Sequence, residues 1–148
     1  MNKTTEILLN MRRIIKLQDV MMKKLTELYH LTPVEAKIIT FLHNNPDKDT
    51  AADIAELRML HKGNVSQAVE TLYQKEFLTR NQDKTDRRKI HLSLTEKADP
   101  IVQLIDEQQD EFYEEIFSGL SQEERETFIK INAKIRKNIQ KAVEKREQ

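Results

Sequence analysis

Apolar residues recur along most of this chain with the three- and four-residue spacing of helices, and in one short stretch they alternate with polar ones instead. From Thr5 to Tyr29, the positions Leu8, Met11, Ile15, Met22, Leu25 and Tyr29 fall on one helical face, which Ile7, Ile14 and Met21 widen. So broad a stripe predicts burial against something large. The next helix opens at Thr32-Pro33, with Glu35 three residues after the threonine to close a capping box, and stops at Asn44-Asn45-Pro46. Thr50 and Asp53 repeat the box with a shorter acid and start a short helix carrying Ile54, Ala55 and Leu57. After "RMLHK" the pattern predicts a helix from Asn64 to Glu76 with Val65, Ala68, Val69 and Leu72 inward. Two short helices separated by a few residues form a helix-turn-helix candidate.

The alternating stretch follows. In "DKTDRRKIHLSLT" a charged run leads into a strand whose Ile90, Leu92 and Leu94 point to the core, with Lys89, His91 and Ser93 on the other side. Phe77 to Arg80 would form the other arm of a hairpin. Thr95 is then placed to cap a long helix toward Phe117, with Pro100 in its early turns and Ile101, Ile105, Gln108, Phe112 and Ile116 on one face. Gly119 breaks it, and Ser121 with Glu124 caps a last helix striped by Phe128, Ile131, Ile135, Ile139 and Val143. Met11, Met21, Met22 and Met59 fall where core residues are expected.

Composition sharpens the picture at three points. With 148 residues the chain fits one elaborated domain, and its two glycines and three prolines stand against roughly ten and seven at average usage, as a mostly helical chain requires. The absence of cysteine excludes disulfides, thiolate metal sites and thiol nucleophiles or sensors. No apolar run approaches the ~20 residues of a membrane span, so the expectation is a cytoplasmic protein without membrane contact.

The 25 basic and 25 acidic residues cancel, yet they are zoned: residues 58–97 carry +4, residues 99–128 carry −9 and residues 129–148 carry +5. The basic middle zone coincides with the helix-turn-helix candidate. Opposite its apolar side, the helix after "RMLHK" shows Ser66, Gln67, Glu70, Thr71 and Gln74, with Lys62 and Gly63 at its leading end. Gln can bond adenine bidentately in a major groove, Glu can accept from cytosine, Ser or Thr can meet bases or phosphates, and Lys62 can take a phosphate or guanine. Gly63 would let the backbone come close. A plainly solvated helix surface accommodates the same residues, and a solvated loop would account for Asp86-Arg87-Arg88. A hairpin beside a helix-turn-helix can, however, place arginine in the adjacent minor groove.

His30, His43, His61 and His91 lack zinc-like spacing, so no metal is expected. There is no phosphate-cradling glycine loop and no nucleophile elbow, and the acids of "DEQQDEFYEE" alternate with an apolar stripe as on a solvated face. No catalytic residues and no cofactor are expected, and the chain does not read as an enzyme.

Three pieces carry a family resemblance: "TAADIAELRMLHKGNVSQAVETLYQKEFLTR", "DKTDRRKIHLSLTEKA" and "LSQEERETF". They resemble, respectively, the helix-turn-helix, the wing and the start of the final helix of MarR-family transcriptional regulators. The resemblance implies a mainly α fold with a small β-hairpin wing: an N-terminal helix over residues 1–30 in the dimerisation region, a winged helix-turn-helix DNA-binding domain over 31–98, and long dimerisation helices over 99–148. It implies that Arg88 reaches the minor groove, that Asp86 orients it, and that Lys84 and Arg87 meet phosphates. The expected DNA-binding set is Lys62, Gly63, Asn64, Ser66, Gln67, Glu70, Thr71, Gln74, Lys84, Asp86, Arg87 and Arg88.

Family members commonly bind small aromatic ligands, and Met11, Ile15, Tyr29, His30 and Phe41 are the residues that could line such a crevice. The chain departs from the family pattern where Met59 and Glu76 stand in turns that often hold glycine, and at Ala98, where "TEKG" is common. The expected partners are double-stranded DNA, a second copy of the chain and a small-molecule effector. The reading is a ligand-responsive repressor on a pseudo-palindromic operator, and the alternative is a winged-helix module that holds a protein partner.

Overall fold

The helices begin where the sequence offers a cap. A computed structural model describes all 148 residues and gives helices α1 (Lys3–Tyr29), α2 (Pro33–Asn44), α3 (Ala51–Leu57) and α4 (Lys62–Gln74). Strands β1 (Leu78–Gln82) and β2 (Ile90–Leu94), a 3₁₀ turn over Glu96–Ala98, and helices α5 (Asp99–Ile116) and α6 (Gln122–Glu147) follow. The three boxes read from the sequence all form: Thr32 Oγ1 accepts from Glu35 N at 3.2 Å, Thr50 Oγ1 from Asp53 N at 3.1 Å, and Ser121 Oγ from Glu124 N at 3.1 Å. Asn2 caps α1 by accepting from Thr4 N at 2.7 Å.

Three helices end alike, and without the glycine that such endings favour. Leu31, Leu60 and Phe77 N donate to Thr26, Ala55 and Leu72 O at 3.0, 2.9 and 3.0 Å, the long-range bond of a Schellman cap. The residue before each donor sits in the left-handed region: His30 at φ 53°, Met59 at φ 52° and Glu76 at φ 67°. Met59 was expected in the core. It is instead 91% exposed, because the left-handed turn swings its side chain outward.

Contacts divide the chain into two units, Met1–Asp110 and Glu111–Gln148. The core of the first is built on α2, whose Ala36, Ile38, Ile39, Phe41 and Leu42 are buried against α1, α4 and β2. Leu25, Ile54, Val65, Leu72, Leu78, Leu92 and Ile101 complete it, and full burial stabilises each of the larger side chains by about 1.5–3 kcal/mol. Gln108 Nε2 reaches Met21 O at 2.8 Å and His43 Nε2 meets Asp106 Oδ1 at 2.7 Å, which fastens the middle of α5 to α1 and α2. One buried acid, Glu35, meets Lys75 Nζ at 3.2 Å, and the same ammonium donates to His30 O at 3.3 Å, so one lysine ties the ends of α1 and α4 to the start of α2.

In the second unit Tyr113 stacks on Phe117 at 5.5 Å, and Phe117 meets Phe128 edge-on at 5.3 Å. Gly119 turns the chain at φ 83°, and Arg125 donates to Phe117 O and Glu114.

Two expectations need correction. Thr95 does not cap the long helix: its Oγ1 donates to Glu76 O at 2.6 Å, a 3₁₀ turn intervenes, and α5 begins at Asp99 with Pro100 second. The N-terminal stripe is buried only at Met22 and Leu25, while Ile7, Leu8, Met11, Ile14 and Ile15 are exposed, since nothing else in the Met1–Asp110 unit covers that half of α1. Helix α6 has no buried residue at all, although Phe128, Ile131, Ile135, Ile139 and Val143 line one face of it.

Candidate nucleic-acid interface

Helix α4 is fixed by its apolar side and leaves its polar side free. Val65, Ala68, Val69 and Leu72 are buried as the periodicity predicted, against α2 and α3, and Asn64, Ser66, Gln67, Glu70 and Gln74 are exposed. Thr71 is half-buried and its Oγ1 donates back to Gln67 O at 3.1 Å. The helix spans Lys62–Gln74, where the sequence pattern suggested Asn64 to Glu76. The cause is His61, whose Nδ1 accepts from Gly63 N at 3.1 Å and caps the helix two residues early. Lys62 and Gly63 therefore stand in the first turn. A Cβ at position 63 would lie 3.2 Å from His61 Nδ1, so the glycine gives the cap its room.

Glu70 is not a free acceptor. Its Oε2 takes Arg80 Nη1 at 2.7 Å and its Oε1 takes Gln74 Nε2 at 3.0 Å, while the Arg80 guanidinium lies 3.7 Å over the Tyr73 ring. Arg80 comes from β1, so this bridge joins the recognition-type helix to the ribbon and neutralises the carboxylate on its outer face.

The ribbon pairs Leu78 with Leu94 through Gln82 with Ile90, antiparallel. Leu92 is buried and Leu94 half-buried, but Ile90 is 44% exposed, contrary to the expectation that all three brace the core. Ile90 pairs with the outermost residue of β1, where the ribbon has already run past the body. On its other side β2 is held by Leu92 N donating to Asp49 O at 2.8 Å.

At the ribbon's tip Asp83 Oδ2 accepts from Thr85 N, Thr85 Oγ1 and Asp86 N at 3.1, 2.9 and 2.9 Å, which folds the loop. Asp86 Oδ1 then accepts from Arg88 N at 3.0 Å and lies 3.8 Å from Arg88 Nε. The Arg88 side chain is 96% exposed, and Lys84 and Arg87 are exposed beside it. Asp83 Oδ1 also meets His91 Nε2 at 2.7 Å, and His91 Nδ1 meets Asp49 Oδ1 at 2.7 Å. These bonds hold the Asp83 carboxyl well below the usual carboxylate range, with the His91 bond the largest cause, and push the His91 ring up, with the Asp83 bond first and the Asp49 bond next.

Neither bridge was read from the sequence. Asp83 lies just past β1 and diagonal to His91, whose partner across the ribbon is Asn81, and nothing local links Asp49 to either. The five crevice residues are differently placed: Phe41 is buried in the core, Tyr29 packs against it, and Met11, Ile15 and His30 are exposed. None of them lines the open cavity of about 350 Å³ bounded by Tyr113, Phe117, Arg125, Ile129 and Lys130.

A helix-turn-helix followed directly by a two-stranded ribbon is a winged helix-turn-helix, here carried between a long first helix and two long last ones. Within that class, residues 31–90 match the sequence model of the MarR family, the family that the helix-turn-helix and wing segments resemble.

Solved structures share the fold over nearly the whole length. A MarR protein from Peptoclostridium difficile is 22% identical, covers 96% of this chain and 90% of its own, and superposes with a TM-score of 0.71. A MarR-family transcriptional regulator from Silicibacter pomeroyi is 19% identical, covers 87% and 86%, and gives 0.74. The heme sensor protein PefR from Streptococcus agalactiae, in complex with heme, is 22% identical, covers 93% of each chain and gives 0.51. These likenesses are of fold, and no helix of the chain is long and apolar enough to cross a membrane.

Proposed function

We propose that this protein is a homodimeric, sequence-specific DNA-binding transcriptional regulator, acting as a ligand-responsive repressor on a pseudo-palindromic operator. The observation that carries the reading is the pairing of an exposed amide-rich face on α4 with a wing whose Arg88 is almost fully exposed beside a carboxylate that orients its backbone. Ser66, Gln67 and Gln74 would meet base edges, with Lys62, Gly63, Asn64 and Thr71 near the backbone. Arg88, supported by Asp86, would enter the minor groove, while Lys84 and Arg87 take phosphates. Glu70 acts less as a base reader than as the partner of Arg80.

A second copy would cover the exposed apolar faces of α1 and α6. Blocking polymerase is the expected output, and no catalytic step is assigned. An effector crevice among Met11, Ile15, Tyr29, His30 and Phe41 would need that second copy to close over the exposed Met11 and Ile15. That a relative of this fold binds heme supports ligand response, which must favour one spacing of the two recognition helices over another.

Zero net charge favours a second reading, a winged-helix module that holds a protein partner. A salt series separates the two. Fluorescence anisotropy with the duplex upstream of the protein's own gene should show affinity falling about a thousandfold between roughly 50 and 200 mM salt, if six or so phosphates are neutralised. Absence of duplex binding at the lower salt would leave the protein-partner reading in its place.

A further inference from the structure

The Asp49–His91–Asp83 bridge has no part in the proposed reading of DNA, yet it joins the wing to the body. Asp49 lies between α2 and α3, and its carbonyl already receives Leu92 N; its carboxylate adds a second bond to the next residue back on the same strand. On the other side of the ring Asp83 is the residue that folds the wing loop, through Thr85 and Asp86, and Asp86 in turn receives Arg88 N. A continuous line of hydrogen bonds thus runs from the helical body to the wing arginine.

We infer that His91 is a positioning residue, an imidazolium latch clamped between Asp49 and Asp83 that fixes the wing for DNA and lets go when the ring loses its proton. The inference rests on the DNA-binding reading only for its consequence, not for the latch itself. The geometry requires the charged form: both ring nitrogens stand 2.7 Å from carboxylate oxygens, and only an imidazolium has two N–H donors to offer. A neutral ring would turn one lone pair toward a carboxylate and lose that arm. The charged groups that meet the ring are Asp49 from the α2–α3 connection and Asp83 from the wing loop. Its partner across the ribbon is the uncharged Asn81, and Lys89 stands two residues before it, just ahead of β2.

The direction follows from linkage. A histidine whose folded value is raised contributes fully at lower pH, and that contribution is lost as pH rises through the raised value. Asp83, held low, stays ionised unless the pH falls well below the carboxylate range. The latch therefore stays closed at the ordinary histidine value and opens only on its alkaline side.

The test combines the DNA-free protein with a bound probe. Imidazole NMR of the full chain over about pH 5 to 10, with His91 assigned by His91→Gln, should show this ring titrating above the ordinary value of about 6.5. Wing-loop amides of residues 83–89 should gain mobility over the same range. Asp49→Asn keeps the loop bonds of Asp83 and should bring the titration down toward the ordinary value. On a duplex selected from a random pool, wild-type affinity should fall about five- to tenfold through the same pH step, and His91→Gln should bind that much more weakly below the step and lack it. A ring that titrates at or below the ordinary value, or wing amides indifferent to its titration, overturns the latch. If no duplex is selected, the DNA-binding reading fails, while the titration and the amides still decide the latch.

Discussion

Replacing Met59 and Glu76 by glycine should stabilise this protein. Both close Schellman caps with φ 52° and φ 67°, a conformation in which Cβ crowds the following carbonyl at a cost of roughly 1–2 kcal/mol. Glycine relieves that but adds freedom to the unfolded chain, roughly 0.5–1 kcal/mol in the other direction. Nothing else is lost: Met59 is 91% exposed, and the hydrogen bonds at Glu76 are made by its backbone. Removing a carboxylate from the C-terminal end of α4 helps slightly.

The net expectation is about 0.5–1 kcal/mol per site, additive to about 1–2 kcal/mol for two sites with no shared partner. Calorimetry at fixed protomer concentration should then show Tm rising by about 3–6 °C in the double variant. Glu107→Gly, exposed in mid-helix, should lower stability by about 1 kcal/mol and serves as the contrast. If the double variant instead melts as low as the contrast, the left-handed residues store no strain and the argument is wrong.

The remaining predictions concern the interface. Arg88→Ala should leave Tm unchanged, because the side chain is solvated, yet weaken operator binding; equal affinity at moderate salt would remove the wing arginine from the account. Gln67→Ala should relax base preference at one position of the site by about 1–3 kcal/mol, read by competition among single-base operator variants, and a uniform loss across variants would make it a backbone contact instead. Ile139→Glu, on the bare face of α6, should raise the dimer dissociation constant about a hundredfold by removing one apolar contact per subunit, and sedimentation that finds no change would place the dimer elsewhere.

Three helix starts were legible because each is a local event, a hydroxyl meeting the amide three residues further on at Thr32, Thr50 and Ser121, whereas the caps at Asn2 and His61 were not read and Thr95 makes none. The winged helix-turn-helix was legible for a similar reason, since periodicity switches from helical to alternating at the ribbon. Helix ends were harder. Glycine marks them only when it is present, and here His30, Met59 and Glu76 take the left-handed position, so the pattern ran α4 two residues too far.

Ile90 misled because alternation says which residues share a face but not how far the body extends beneath the ribbon. The two bridges at the interface lay further out of reach. Arg80 with Glu70 and Tyr73, and His91 with Asp49 and Asp83, join residues that only the folded register brings together. They pair Glu70, one of the expected DNA contacts, with a cation of the ribbon, and they give a bridging place to a histidine to which the sequence assigned none.

The most direct trial of the central claim is selection of bound sequences from a random duplex pool by the full-length protein. The account predicts enrichment of two-fold symmetric sites whose half-site centres lie about one helical turn, roughly 10 base pairs, apart, with A·T-rich flanks where the wings would enter. A pool that returns no enriched sequence, or one enriched in asymmetric single half-sites, would contradict it.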